Sequence, residues 1–166
     1  MRERSVRKSG WPPGVVVALL VCGGLWAGCE RSNALEGKLE QAIRTASGNR
    51  QPLKMEDVTD FAWSELHIFG PYSAADEMHK QLGFVWLDAR DVQLDSENLL
   101  VFVHERKVVK SLHFPRAKGD FILPPVARFL RAEARFVVQE PRNGSPSLVL
   151  VPESIAQQSR KDGGTP

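Results

Sequence analysis

Hydrophobic positions along this chain follow two different periods. Leu35, Leu39, Ala42, Ile43 and Ala46 recur at helical spacing. Asn33 and Glu36 stand three apart at the start of that stripe, as a capping box requires. Gly48 closes the stripe, and residues 49–58 read as a linker. Trp63–Phe69 suits a strand ended by Gly70-Pro71. Ser73 is expected to cap a short helix with Asp76 at its third position and Gly83 after its last residue, Leu82. Phe84–Leu87 predicts another strand, Asp95-Ser96-Glu97-Asn98 a turn, and Leu99–His104 with Val108–Phe114 a hairpin turning at Arg106-Lys107. In the first arm of that hairpin Leu99, Val101 and Val103 alternate with Leu100 and Phe102, so both faces are apolar. That pattern predicts a central strand covered from both sides. Pro124-Pro125 interrupts the chain, and a last hairpin is expected for Arg135–Val138 and Leu148–Val151 across Asn143-Gly144, its loop lengthened by Pro141 and Pro146. From Gln157 the chain is polar, ends in Gly-Gly-Thr-Pro, and reads as disordered.

Together these elements predict an α+β fold: a small antiparallel sheet of about four to six strands with two short helices packed on it. The expected division is an export signal over 1–28, a lipidated N-terminus, helix and linker over 29–58, an α+β domain over 59–155, and a disordered tail over 156–166.

The signal rests on Arg2, Arg4, Arg7 and Lys8, followed by an apolar core from Val15 to Leu20 that Val21, Cys22 and Leu25 extend. A basic head, an apolar middle and a small-residue cleavage site mark a secretory signal. Leu25-Trp26-Ala27-Gly28-Cys29 resembles the lipobox of bacterial lipoproteins, with Trp26 where that family usually has Leu. The resemblance implies cleavage before Cys29 and acylation of its thiol. An ordinary cleaved signal and an uncleaved anchor are the alternatives. The 14 residues from Val15 to Gly28 include Gly23 and Gly24, and they fall short of the about 20 apolar residues a spanning helix needs. Cys22 follows Val21 rather than a small residue, which makes it the poorer candidate for lipidation. Glu30, not aspartate, follows Cys29. By analogy with the lipoproteins of enteric bacteria, that favours the outer membrane over the inner.

Removing the signal changes the charge. The chain has 22 Lys and Arg and 20 Asp and Glu, and residues 1–28 hold four basic and one acidic. The remainder carries 18 basic and 19 acidic side chains, so basicity no longer argues for a nucleic-acid partner. Cys29 is then the single cysteine, which excludes an internal disulfide and a thiolate metal cluster. Residues 30–105 hold 7 basic and 14 acidic side chains, whereas residues 106–166 hold 11 and 5. Such polarity either offers a basic face to lipid head groups or an acidic partner, or is offset where acidic and basic strands pair.

Candidate chemistry is sparse. His67, His79, His104 and His113 are the potential metal ligands. His104-Glu105 begins like HExxH, but Val108 occupies the position of the second histidine. With the turn at Arg106-Lys107, His104 would oppose Val109 and His113 would oppose Leu100, on one face and about 13 Å apart. One zinc ion cannot bridge that gap. No metal site and no cofactor is expected. There is no GxSxG, no free cysteine beyond the anchor and no glycine-rich phosphate loop. Asp60 and Glu65 would fall on opposite faces of a strand. Phe61, Trp63, Phe69 and Tyr72 crowd into 12 residues, with Trp86 beyond them. They form either the core of a small domain or the exposed centre of a protein interface. Trp63, Tyr72, Arg106 and Lys107 are the candidate interaction residues.

The run Thr59-Asp60-Phe61-Ala62-Trp63 through Ile68-Phe69-Gly70-Pro71-Tyr72, then a capped helix and an apolar strand, resembles small uncharacterised bacterial envelope lipoproteins over residues 57–114. The order of elements is similar to the small lipoprotein subunit of the outer-membrane protein assembly machine and to β-lactamase-inhibitor-like modules, a likeness of topology alone. The reading is a membrane-anchored, periplasm-facing, non-catalytic interaction or accessory module. Its expected partners are membrane lipid, through acylated Cys29, and an envelope protein, with no nucleic acid. A small-ligand or lipid-binding protein is the alternative. A third reading is a hydrolase or metal enzyme with a cleft joining His67 or His104 to a carboxylate.

Overall fold

A computed structural model describes residues 27–140 and 147–162. The basic head and apolar core of the expected signal lie outside the described residues, as does the Asn143-Gly144 tip of the last loop. For Cys29 the backbone alone is described.

The first helix, α1, spans Ala27–Asn49. It begins before Asn33, which lies inside the helix instead of capping it. Leu35, Leu39, Ile43 and Ala46 are buried, as the apolar stripe requires. The end is set by Arg50, which adopts φ +53. Its N–H donates to the Ser47 carbonyl at 3.3 Å and the Gln51 N–H donates to the Ala46 carbonyl at 3.2 Å. This is a Schellman closure with arginine in the seat glycine usually takes.

Residues 49–58 are not a linker. They hold strand β1 (Leu53–Lys54) and the single-turn helix α2 (Met55–Val58). Leu53, Met55 and Val58 are buried in the main core, so apolar burial overrides the polar composition that suggested a connector.

Two four-stranded sheets follow. The first orders β4 (Lys107–Pro115), β3 (Glu97–His104), β2 (Glu65–Phe69) and β6 (Arg128–Leu130), all antiparallel. The second orders β1, β7 (Arg135–Gln139), β8 (Val149–Pro152) and β5 (Asp120–Phe121), with β5 parallel to β8. The fold is α+β, and among the described residues eight strands divide between two sheets where one sheet of four to six was expected. β1, β5 and β6 are two or three residues long, too short to leave a period.

Alternation along β2 and β3 creates two cores. Leu66, Ile68, Leu100 and Phe102 meet α1 and the second sheet, where Phe121, Phe136 and Leu150 close the space. Phe69, Leu99, Val101 and Val103 meet helix α3 (Ala75–Leu82) and the segment after it through Met78, Leu82, Ala89 and Val92. β3 is therefore the central strand its sequence predicted, buried from Asn98 to Val103. A last helix, α4 (Glu153–Asp162), stands where a disordered tail was expected, with Ala156 buried.

α3 starts one residue later than its serine suggests. Ala74 is the N-cap residue. The Ser73 hydroxyl donates instead to the Gly70 carbonyl at 2.9 Å, and Asp91 Oδ1 accepts the Ala75 N–H at 2.8 Å. Gly83 ends the helix at φ +73, its N–H donating to the His79 carbonyl. Phe84–Leu87 forms no strand, and residues 83–96 contain neither helix nor strand.

The β3–β4 turn is Glu105-Arg106, with φ +48 and +58, one residue earlier than predicted. Positive φ at both positions is the type I′ geometry that matches strand twist. Val103 pairs with Val108 but Phe102 pairs with Lys110, leaving Val109 as a bulge. One extra residue reverses the side-chain parity. His113 thus opposes Leu99 on the α3 side, whereas alternation with Phe102 puts His104 on the α1 side. The two histidines expected to share a face lie on opposite faces.

Candidate functional site

The predicted interaction residues do not converge. Trp63 is only 3% exposed. Its Nε1 donates to Thr59 Oγ1 at 2.8 Å, its ring meets Phe102 edge-on, and the Arg131 guanidinium lies 5.2 Å from the ring centroid. It is a core residue, which removes it from any surface. Arg106 and Lys107 sit at the hairpin tip, exposed, and Arg106 Nη2 donates to the Gly83 carbonyl at 2.9 Å. Tyr72 is 72% exposed, beyond the opposite end of β2 and β3. The aromatic run is split: Phe61 and Trp63, ahead of β2, join the α1-side core, Phe69 and Trp86 the α3-side core, and Tyr72 is exposed. Cys29 is the third residue of α1.

The densest polar cluster is Glu65, His67, Gln81 and Arg128. His67 is 1% exposed and sits two residues from Glu65 on the same face of β2. Its Nε2 lies 3.2 Å from Glu65 Oε2, and its Nδ1 lies 3.5 Å from Gln81 Nε2. Gln81 Nε2 also donates to the Ala127 carbonyl at 3.4 Å, which fixes it as the nitrogen end of the amide. The ring is then the tautomer that donates from Nε2 and accepts at Nδ1. Burial pushes the His67 pKa below its ordinary value, against the pull of Glu65. The Arg128 guanidinium holds Glu65 down to about 2. Arg128 makes the two-pronged contact that suits guanidinium and carboxylate, and binds β6 to β2. A buried neutral imidazole engaged at both nitrogens locks strand, helix and edge together; no solvent-facing atom of it is left to act on a substrate.

His113 and His79 are engaged separately, whereas His104 Nδ1 is buried without a hydrogen-bond partner. His113 Nδ1 meets Glu97 Oε1 at 2.9 Å, and His79 Nε2 meets the Trp86 carbonyl at 3.0 Å. Asp60 pairs with Lys38, remote from the Glu65 pair. Among the described residues no group of three or more His, Cys, Asp or Glu is placed to hold a metal ion. No described helix is long and apolar enough to cross a membrane.

Charge complementarity between the chain halves is partly internal. Glu65 pairs with Arg128, and Glu36 and Glu40 both pair with Lys118 at 2.9 Å. Lys118 and then Arg44 hold the Glu40 carboxyl below its ordinary value. The acidic residues from Asp76 to Asp95 make no side-chain ion pair with a basic residue of the second half among the described residues, although Arg116 Nη1 donates to the Asp95 backbone carbonyl at 2.8 Å.

That acidic stretch coincides with exposed apolar surface, which the sequence reading missed. Leu87 is 86% exposed, Val85 68% and Leu94 57%. Phe84 and Trp86 pack inward on the α3-side core while Val85 and Leu87 point out. Tyr72 joins this surface through backbone pairing: its N–H donates to the Val92 carbonyl at 2.7 Å, and the Val92 N–H donates to the Ser73 carbonyl at 3.0 Å. Tyr72 itself holds φ +62, a strained setting for a bulky residue. A shallow cleft of about 530 Å³ opens beside Leu94, lined by Ala75, Ala89, Arg90, Asp91, Gln93 and Glu97. The available signal was the doubly apolar run Phe84-Val85-Trp86-Leu87, read as a strand and not as a segment with one face left uncovered.

No known family model matches this chain, and no curated protein or solved structure matches it either. Function has to be argued from the surface itself.

Proposed function

We propose that this chain is a lipid-anchored, non-catalytic interaction module of a bacterial cell envelope, held through acylated Cys29 and facing the periplasm, with the outer membrane favoured. The observation that carries the reading is the exposure of four large side chains, Tyr72, Val85, Leu87 and Leu94, within residues 72–94. Exposed apolar residues that cluster and carry a polar rim mark interaction sites more often than isolated ones do. The segment that bears three of them, residues 83–96, is long for a connection without helix or strand, and such loops are commonly functional. The lipobox-like Leu25-Trp26-Ala27-Gly28-Cys29 supports the anchor. Cys29→Ser tests it in cells fed a labelled fatty acid. The expected result is loss of label and release from the membrane fraction. Label and membrane association that persist unchanged would overturn the lipid anchor.

A further inference from the structure

Gln81 serves two acceptors with one nitrogen. Its Nε2 lies 3.5 Å from His67 Nδ1 and 3.4 Å from the Ala127 carbonyl oxygen, so both amide hydrogens are committed. Ala127 stands immediately before β6, and its carbonyl also accepts the Ile68 N–H at 2.9 Å. Among the described residues Gln81 is the one side chain of α3 that hydrogen-bonds to the first sheet or its edge. The imidazole it meets is enclosed. Phe69 stacks beside it with 6.3 Å between ring centroids, and Val101 of β3 lies opposite. The charged groups that act on the ring are Glu65 on its own strand and Arg128 on β6. On α3, Asp76, Glu77 and Lys80 are exposed, and His79 is bound to the Trp86 carbonyl.

We propose that His67, Gln81 and Ala127 form a proton-driven switch, in which a proton on His67 Nδ1 turns the Gln81 amide over and cuts the tie between α3 and the β6 edge. The switch goes beyond the interaction-module reading and does not depend on it. A proton on Nδ1 converts an acceptor into a donor, which then faces the donor nitrogen of Gln81. Half a turn of the amide brings Oε1 round to accept the new N–H. The same oxygen then stands against the Ala127 carbonyl, where two acceptors repel. The neutral imidazole therefore permits both contacts of Gln81 and the charged one permits a single contact. Nε2–H keeps its bond to Glu65 in both states, because Arg128 holds that carboxyl ionised down to about 2. Burial places proton uptake on the acid side of the ordinary histidine range. α3 has eight residues and ends at Gly83, where the segment carrying exposed Val85 and Leu87 begins, so the tie is cut next to the point from which that segment leaves.

The test is nitrogen NMR and amide hydrogen exchange on the full chain purified in detergent, titrated from neutral pH into acid and stopped above the range of Glu65. At neutral pH the His67 ring should carry its proton on Nε2. On acidification the Gln81 side-chain amide signals should move with the same midpoint as His67 Nδ1. Over that step, exchange at the Leu82 and Gly83 amides should rise about fivefold relative to β7 and β8, as local opening requires. Gln81→Glu sets an acceptor against Nδ1 at every pH and gives up the Ala127 bond. That variant should raise the His67 midpoint, exchange fast at the end of α3 already at neutral pH, and change little with acid. A neutral ring protonated on Nδ1 overturns the proposal, as does a His67 that takes up no proton before Glu65. So do Gln81 signals that ignore the His67 step, and α3 exchange that stays constant or rises in step with β7 and β8. The wild-type titration decides by itself where circular dichroism finds the variant unfolded.

Discussion

Glu65 and Arg128 meet across neighbouring strands through two parallel hydrogen bonds, Arg128 Nε to Glu65 Oε2 at 2.9 Å and Nη2 to Oε1 at 2.8 Å. Beneath them His67 is neutral and buried. The fold is thereby coupled to pH in one direction. Glu65 falls from 4.5 to about 2 on folding, so the stability it contributes is present above pH 4.5 and is lost as pH drops toward 2. Half-exposed Arg128 limits that contribution to about 1 kcal/mol or less. His67 is also lowered from 6.5. Between its folded value and 6.5 the unfolded chain binds the extra proton, so stability is full above 6.5 and declines below it. Thermal melts should therefore show two acid steps. His67→Gln removes the one near neutrality, and Glu65→Gln removes the lower one.

Two aromatic residues nine positions apart should respond in opposite ways. Trp63→Ala empties a packed site beside Phe102 and should cost about 3–5 kcal/mol. Tyr72→Gly relieves a left-handed backbone at an exposed residue and should gain about 1 kcal/mol. Urea unfolding measures both.

Close approach dictates a third pair. A Cβ on Gly119 would come within 2.8 Å of both Ile43 Cδ1 and Leu150 Cδ1, where α1 and the second sheet converge. Gly119→Ala should destabilise by about 1–2 kcal/mol, the side-chain ends yielding part of the way. Arg50→Gly fills the Schellman seat with its preferred residue and should stabilise by about 1 kcal/mol. Denaturant midpoints of the two variants should move in opposite directions.

Elements with a complete period were legible. Leu35 to Ala46 gave the buried stripe of α1, Leu99 to Val103 the doubly covered centre of β3, and Gly83 the left-handed end of α3. Failures have local causes. Val109 adds a residue that no alternation reveals, and the histidine geometry inverted with it. Leu53, Met55 and Val58 were hidden in a polar stretch because a two-residue strand and one helical turn carry no repeat. Phe84-Val85-Trp86-Leu87 alternates like a strand, but its hydrogen-bonding neighbours are side chains and turns of α3 and not a ladder. Of the candidate interaction residues, Tyr72 is exposed, whereas Trp63 was drawn into the core by the same property that made it a candidate.

The continuity of α1 bears on how an anchored chain would move. Cys29 and Leu35 belong to one helix, and Leu35 is already in the core. Six residues at about 1.5 Å each separate them, roughly 9 Å with no slack. Such a connection works as a drive shaft and not as a leash. Each residue inserted there would swing the domain by about 100° around the helix axis while lifting it hardly at all. In a chain anchored at Cys29, the bearing of the domain relative to the bilayer would be written in the residue count between Cys29 and Leu35, and a partner restricted to one side would sense an insertion of one residue more acutely than a full turn of about four.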